Sequence, residues 1–134
     1  MRRDLAKGIE SRMSRIVSLR RSEPATLDTG VLLRLEASLG LERSREVLAE
    51  ACCAIIEKLT RFDLADDPAE ARRLARSIAA LSDEVGMDAL GRAARAAAVC
   101  AAGDDPAARA ATAARMLRLG ETSLDRLLSS QTAG

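Results

Sequence analysis

The side chains most available for acid–base chemistry in this sequence are carboxylates, because the chain contains no histidine and only two lysines, Lys7 and Lys58. Adjacent carboxylates occur at three places: Asp66-Asp67, Asp83-Glu84 and Asp104-Asp105. Each pair lies close to a proline or a glycine, where carboxylates usually cap helices or face solvent. The lack of histidine also removes its roles as nucleophile, general base, metal ligand and phosphoryl acceptor. We therefore expect no enzymatic activity and no cofactor.

The three cysteines are Cys52, Cys53 and Cys100. No two of them have CxxC spacing, and without histidine a zinc site would need carboxylates at unusual spacing. Cys52 and Cys53 are adjacent, so on a helix their side chains point about 100° apart and only one can face a core squarely. We expect all three to be small hydrophobic residues of a reducing cytoplasm, with no bound metal.

The segment from Pro68 to Gly86 contains an arginine, Arg76, whose orientation on a helix can be predicted from the sequence. At about 100° per residue, one apolar stripe of this segment contains Leu74, Ile78, Leu81 and Val85. Arg76 points about 200° away from Leu74 and should face solvent. Its outward neighbours, one turn away on either side, are Arg72, Ala79, Ala80 and Asp83. This face can either bind an anion on a partner or be an ordinary solvated helix surface.

The remaining segments also have helical periodicity, and none alternates with period two or contains a hairpin turn. Long helices are predicted to begin near Leu41, Pro68, Met87 and Pro106, after a short helix marked by Val31, Leu32, Leu35 and Leu39. Aspartates before Pro68 and Pro106 can cap those helices, and Gly40 can end the short one. The predicted fold is all-α, an up-down antiparallel four-helix bundle with one or two extra N-terminal helices.

The core of this bundle should be aliphatic and rich in alanine, because the chain is 48% apolar and Phe62 is its single aromatic residue. The helix ending at Phe62 has a heptad-like seam of Leu48, Cys52, Ile55, Leu59 and Phe62, widened by Val47, Ala51 and Ile56. The expected inward residues further along are Leu90, Ala94, Ala97 and Ala101, with Val99 and Cys100 near them, then Ala110, Ala113, Leu117, Leu124 and Leu127. Gly120 should permit a close helix crossing.

Residues 1–22 are predicted to form a basic amphipathic helix, separate from the bundle of residues 23–134. Met1 to Arg21 contains seven basic and two acidic residues and carries +5, whereas the remainder carries −4. This helix could pack on the bundle or on a second copy of the chain, form a loose arm, or touch nucleic acid or a membrane. We rank nucleic acid and membrane last, and membrane low in particular because the apolar stripe is narrow and has no aromatic anchor. Neither a signal peptide nor a membrane span is apparent, so we expect a soluble cytoplasmic protein.

The stretch Ala75 to Gly86, ARSIAALSDEVG, resembles the signature of histidine-containing phosphotransfer (HPt) domains. That signature runs roughly A-H-x-L-K-G-x-A-x-x-x-G on the third helix of a small bundle. The matching positions are Ala75, Ser77, Ile78, Val85 and Gly86, followed by Met87-Asp88-Ala89-Leu90. The similarity covers roughly Leu27 to Leu128, since the leading short helix, the helix to Phe62 and the loop after it agree in order and length. It implies an HPt-like bundle.

The sequence departs from this signature at its functional positions. Arg76 stands where the family has its phosphorylated histidine, Ala79 where it has a lysine, and Ala80 where a glycine leaves room for a receiver domain. A guanidinium stays protonated at neutral pH and cannot accept a phosphoryl group. The resemblance therefore implies a pseudo-HPt protein of a two-component phosphorelay, which binds a response-regulator receiver domain or a histidine kinase without taking phosphate. The implied partner-binding residues are Arg72, Arg73, Arg76, Ala79, Ala80 and Asp83.

A different function would follow if the basic N-terminal helix were the active part of the molecule. The protein would then be a helical adaptor or dimerisation module, forming homodimers or binding an anionic partner through residues 1–22. A small-molecule pocket inside the bundle has little support, because alanine-rich facing helices leave little room and no convergent polar groups point inward.

Overall fold

The structure, a computed structural model, describes residues 26–132, and their secondary structure is all helix. Five helices follow one another in this range: α1 (Thr29–Leu39), α2 (Leu41–Leu64), α3 (Pro68–Glu84), α4 (Asp88–Ala101) and α5 (Pro106–Thr132). The basic helix predicted for residues 1–22 lies outside the described residues. Within residues 26–132, no helix has the length and apolarity that crossing a membrane requires.

Local capping interactions set the helix boundaries, as the sequence predicts. The carboxylate of Asp67 accepts a hydrogen bond from the Ala69 N–H, and Asp105 accepts from Ala107 and Ala108. The prolines that follow these aspartates begin α3 and α5, where a missing N–H costs nothing. Gly40, at φ 83°, ends α1 and donates its N–H to the Glu36 carbonyl. These signals are short-range, so they can be identified from sequence.

Each helix packs on the next along the chain, and α2 also packs on α5. Gly120 of α5 lies against Leu59 of α2, while Leu127 and Cys52 line one small cavity, so the two helices are antiparallel. A Cβ atom on Gly120 would lie 2.7 Å from Leu59 Cδ1. The predicted close crossing is therefore present.

The core is aliphatic and rich in alanine, as expected. Its largest fully buried side chains are Ile55, Ile78, Met87, Leu90, Met116, Leu119 and Leu127. Helix α4 buries six alanines: Ala89, Ala93, Ala94, Ala97, Ala98 and Ala101. Because alanine has no atoms beyond Cβ, α3 and α5 can both approach the α4 backbone closely. Phe62 is only partly buried at the edge of this core.

Three residues predicted to lie on or near the inward faces of their helices are exposed instead. Ile56 is 43% exposed, because the buried face of α2 is centred on the neighbouring Ile55. Val99 is 75% exposed, because Ala97 and Ala98 are the residues that α4 buries against its two neighbours. Ala110 is exposed because it lies in the first turns of α5. Since α5 is antiparallel to α2 and Gly120 contacts Leu59, these turns extend past the end of α2.

The buried face of α3 is broader than the predicted stripe. Leu74, Ile78 and Val85 are buried as expected, whereas Leu81 is half-buried. Ala75, Ala79 and Ser82 are also buried, and the Ser82 hydroxyl donates to the Ile78 carbonyl at 2.6 Å. The prediction that Ala79 points outward beside Arg76 is therefore wrong. The alanine face of α4 comes close enough to α3 to leave Ala79 only 5% exposed.

Helix α1 is joined to the turn between α3 and α4 by a backbone hydrogen bond. The Asp28 N–H donates to the Gly86 carbonyl at 2.7 Å, and the Asp28 carboxylate caps α1 through Gly30 and Val31. Gly86 has φ +77°, and a Cβ there would meet the Asp28 carbonyl oxygen at 2.8 Å. The turn after α3 therefore requires glycine both for its backbone conformation and for the close approach of α1.

Candidate functional site

An exposed groove runs between α3 and α4 and brings together most of the residues implied by the sequence. We call it the α3–α4 groove; it has a volume of about 620 Å³. Its lining residues are Arg72, Arg76, Ala79, Ala80 and Asp83 from α3, and Arg95, Ala98, Val99 and Ala102 from α4. Five of the six implied partner-binding residues lie in it. Arg73 is exposed on α3 but does not line the groove.

Small side chains form the floor of the α3–α4 groove. Ala79 and Ala98 are each 5% exposed and pack between the two helices. Ala80 and Ala102 are exposed beside them, and Val99 is the one larger aliphatic side chain in the lining. The groove is therefore shallow, apolar at its floor and open to solvent, which suits contact with a protein surface better than enclosure of a small molecule.

The charges of the groove are divided between a neutral end and a cationic end. Arg95 Nη1 lies 2.8 Å from Asp83 Oδ2, so this guanidinium is already paired. Arg72 and Arg76 are exposed, and neither has an ion-pair partner among the described residues. Two unneutralised guanidinium groups, four residues apart on one helix, thus remain available to an anion.

Gly91 makes room for the Asp83–Arg95 pair. This glycine is buried in α4, and a Cβ on it would lie 2.6 Å from Asp83 Oδ1 and 3.5 Å from Arg95 Nη1. The carboxylate therefore lies directly over the α4 backbone. Asp83, which the resemblance implies is a partner-binding residue, contacts Arg95 of its own chain.

The α4 side of the groove is less apparent from the sequence. Arg95, Ala98, Val99 and Ala102 recur at helical spacing and so share one face of α4. However, their spacing does not indicate which face of α3 they approach. The residues of α3 that line the groove, from Arg72 to Asp83, could be identified from the periodicity of that helix alone. The residues of α4 that line the groove depend on how α4 packs against α3.

The three cysteines lie outside the lining of the α3–α4 groove. Among residues 26–132, no cluster of three or more cysteine, aspartate or glutamate side chains could hold a metal ion. Cys52 is buried, Cys53 is exposed and Cys100 is half-buried. Burial raises the pKa of the Cys52 thiol to about 11, and the neighbouring Cys53 adds to this rise. Cys52 is therefore protonated at neutral pH and a poor nucleophile.

We expect thiol reagents at neutral pH to label Cys53 quickly and Cys52 only after unfolding. The measurement is DTNB reaction of Cys53→Ser/Cys100→Ser, which keeps Cys52, against Cys52→Ser/Cys100→Ser, which keeps Cys53. Rapid reaction of native Cys52 would contradict its burial.

Because the folded Cys52 titrates near 11 and the unfolded thiol near 9.0, the free energy of unfolding should fall as pH rises between these values. Cys52→Ala should reduce that fall.

Comparisons with protein-family models, with curated proteins and with solved structures find no match to this chain. Functional proposals therefore rest on the α3–α4 groove, on the sequence pattern of residues 75–86 and on the basic charge of residues 1–21.

Proposed function

We propose that the chain is a pseudo-HPt protein that docks a receiver domain or a histidine kinase on the α3–α4 groove and accepts no phosphate. In this proposal α2 to α5 form an up-down antiparallel four-helix bundle, with α1 as the short leading helix. The observation that carries the proposal is the position of Arg76. It is exposed on the groove, has no ion-pair partner among the described residues, and occupies the place of the phosphorylated histidine in the resemblance.

The proposed interaction is electrostatic and apolar rather than chemical. The phosphorylation pocket of a receiver domain is acidic, so the Arg76 guanidinium can donate hydrogen bonds where a phosphohistidine would have entered. A charged hydrogen bond of this kind contributes about 1.5–3 kcal/mol. The exposed side chains of Ala80 and Ala102 offer apolar contact area beside the floor of the groove, and Val99 adds an exposed aliphatic side chain.

The first test is titration of the protein against the receiver domains and histidine kinase domains encoded in the same genome, by isothermal calorimetry. At least one of these domains should bind, and Arg76→Ala should weaken its binding about tenfold or more, since tenfold corresponds to about 1.4 kcal/mol. Arg73→Ala is the matched control, because it removes the same charge from α3 outside the groove. Absence of any binding receiver or kinase domain, or equal weakening by both substitutions, would contradict the proposal.

The second part of the proposal, that no phosphate is accepted, has its own test. Incubation with a phosphorylated receiver domain should leave this protein unlabelled, because arginine offers no deprotonated nitrogen at neutral pH. Acid-labile phosphate on the protein would overturn this part of the proposal.

The alternative function places the active part in the basic N-terminal segment, and the +5 charge of Met1 to Arg21 favours it. These residues lie outside the described range. Deleting them should abolish self-association or anion binding if the alternative holds, and should leave receiver binding intact if the groove is the docking site. A steep dependence of binding on salt concentration would indicate a nucleic acid partner.

A further inference from the structure

The α3–α4 groove has a direction, because its two ends differ in charge. Asp83 and Arg95 neutralise each other at the end near Gly91. Since α3 and α4 are antiparallel neighbours, Arg72 and Arg76 lie towards the opposite end, where α4 finishes beside Ala102. A ligand that fits the groove must therefore place its anionic groups at one end and its apolar surface along the remainder.

The dimensions of the groove correspond to a short helix. Arg72 and Asp83 are eleven residues apart on α3, which is about 17 Å or three helical turns. The groove walls are helices, whose backbone groups bond within the helix, so they offer no open backbone edge to an extended peptide. A helix satisfies its own backbone hydrogen bonds and can lay one face of side chains between two others.

The spacing of the free cations specifies the anions that they would meet. Arg72 and Arg76 are separated by one helical turn, and residues at this spacing on a second helix lie about 6 Å apart. Two carboxylates at positions i and i+4 would therefore match the two guanidinium groups. Nucleic acid fits less well, because the groove contains no aromatic side chain for base stacking and only two unpaired guanidinium groups to follow a phosphate backbone.

We propose that the α3–α4 groove binds an amphipathic helix of about three turns, with an aliphatic face and two carboxylates one turn apart at the end that meets Arg72 and Arg76. The inference rests on the proposed docking role of the groove and specifies the element of the partner that enters it. Asp83 acts within this site by holding Arg95, so that the second end of the groove favours an uncharged segment of the helix.

The test uses a fluorescein-labelled, stapled 14-residue helical peptide with an Ala/Leu face and glutamates at i and i+4 near one end. Its matched control replaces both glutamates by glutamine. By fluorescence anisotropy, the glutamate peptide should bind the full-length protein at least tenfold more tightly than the control. Arg72→Ala/Arg76→Ala should remove this difference, and Arg73→Ala should preserve it.

A third peptide, with one further glutamate near its other end, tests the role of Asp83. Asp83→Asn frees Arg95 and should strengthen binding of this peptide several-fold more than it strengthens binding of the two-glutamate peptide. Equal binding of the glutamate and glutamine peptides would overturn the inference. Tighter binding of single-stranded oligo(dT) than of the acidic peptide, lost in Arg72→Ala/Arg76→Ala, would overturn it in favour of nucleic acid.

The peptide and receiver experiments can fail separately. If a receiver domain binds in an Arg76-dependent manner and the acidic peptide does not, the helix inference is wrong and the proposed function stands. If the acidic peptide binds through Arg72 and Arg76 and no receiver or kinase domain does, the proposed function is wrong and the groove has another helical partner. Concentration-dependent dimerisation that is lost in Arg76→Ala would identify a second copy of this chain as that partner.

Discussion

Replacing Leu48 by alanine is expected to lower the free energy of unfolding by about 2–5 kcal/mol, because the substitution leaves a cavity between α2 and its neighbours. Leu48 is 5% exposed and belongs to the continuous core. Leu81 is assigned to the core by sequence periodicity but is only half-buried. The same substitution at Leu81 should therefore cost less than that at Leu48.

Equilibrium unfolding in urea measures this difference, with Leu33→Ala as the control. Leu33 is 66% exposed on α1, so its truncation should change stability by less than about 0.5 kcal/mol. The expected order of destabilisation is Leu48, then Leu81, then Leu33. Equal losses at Leu48 and Leu33 would contradict the packing of α2.

Replacing Gly86 by alanine is expected to destabilise the protein by about 2–4 kcal/mol, combining backbone strain and overpacking. The backbone at Gly86 has φ +77°, which L-amino acids rarely adopt. The new Cβ would also lie 2.8 Å from the Asp28 carbonyl oxygen and 3.3 Å from Val31 Cβ. The substitution should therefore strain the turn after α3 and push α1 away from it.

Gly103→Ala provides the matched control for Gly86→Ala. Gly103 has no positive φ, and its nearest neighbour to an added Cβ is the Cys100 carbonyl oxygen at 3.5 Å, an ordinary contact. Its substitution should leave the thermal midpoint almost unchanged, while Gly86→Ala lowers it clearly. Similar midpoints for the two variants would show that α1 does not pack on the turn between α3 and α4.

The features that could be predicted from sequence are those that depend on a few neighbouring residues. Asp67, Asp105 and Gly40 set helix ends through contacts within two to four residues of themselves. The prediction that Arg72, Arg76 and Asp83 share one face of α3 likewise follows from the period of a single helix. Such features do not depend on how the helices are arranged in space.

The errors arise where two faces of a helix compete for burial. Periodicity gives the angle between Ile55 and Ile56, but the neighbouring helices decide which of them becomes buried. Alanine adds a second ambiguity, since it is equally suited to a close helix contact and to an exposed helix surface. Ala79 and Ala80 have the same side chain, yet only Ala79 is buried, because α4 approaches one side of α3.

The same reasoning explains why the candidate site could be predicted only in part. Its α3 wall lies on one helix, and the sequence identifies Arg72, Arg76 and Asp83 on it. The partner of Asp83 is Arg95, twelve residues further along the chain, and this pairing requires α4 to cross α3 at Gly91. The groove thus differs from an ordinary helix surface because Arg95 is paired with Asp83, whereas Arg72 and Arg76 have no ion-pair partner among the described residues. This difference depends on the tertiary structure.

The most direct test of docking on the α3–α4 groove is a map of backbone amide chemical shifts of the ¹⁵N-labelled full-length protein on addition of its receiver domain. We predict that the large shifts fall on the α3 residues from Arg72 to Asp83 and the α4 residues from Arg95 to Ala102, and that Arg76→Ala removes them. Shifts confined to residues 1–22, or to the outer face of α2, with the groove residues unchanged, would contradict the proposed site.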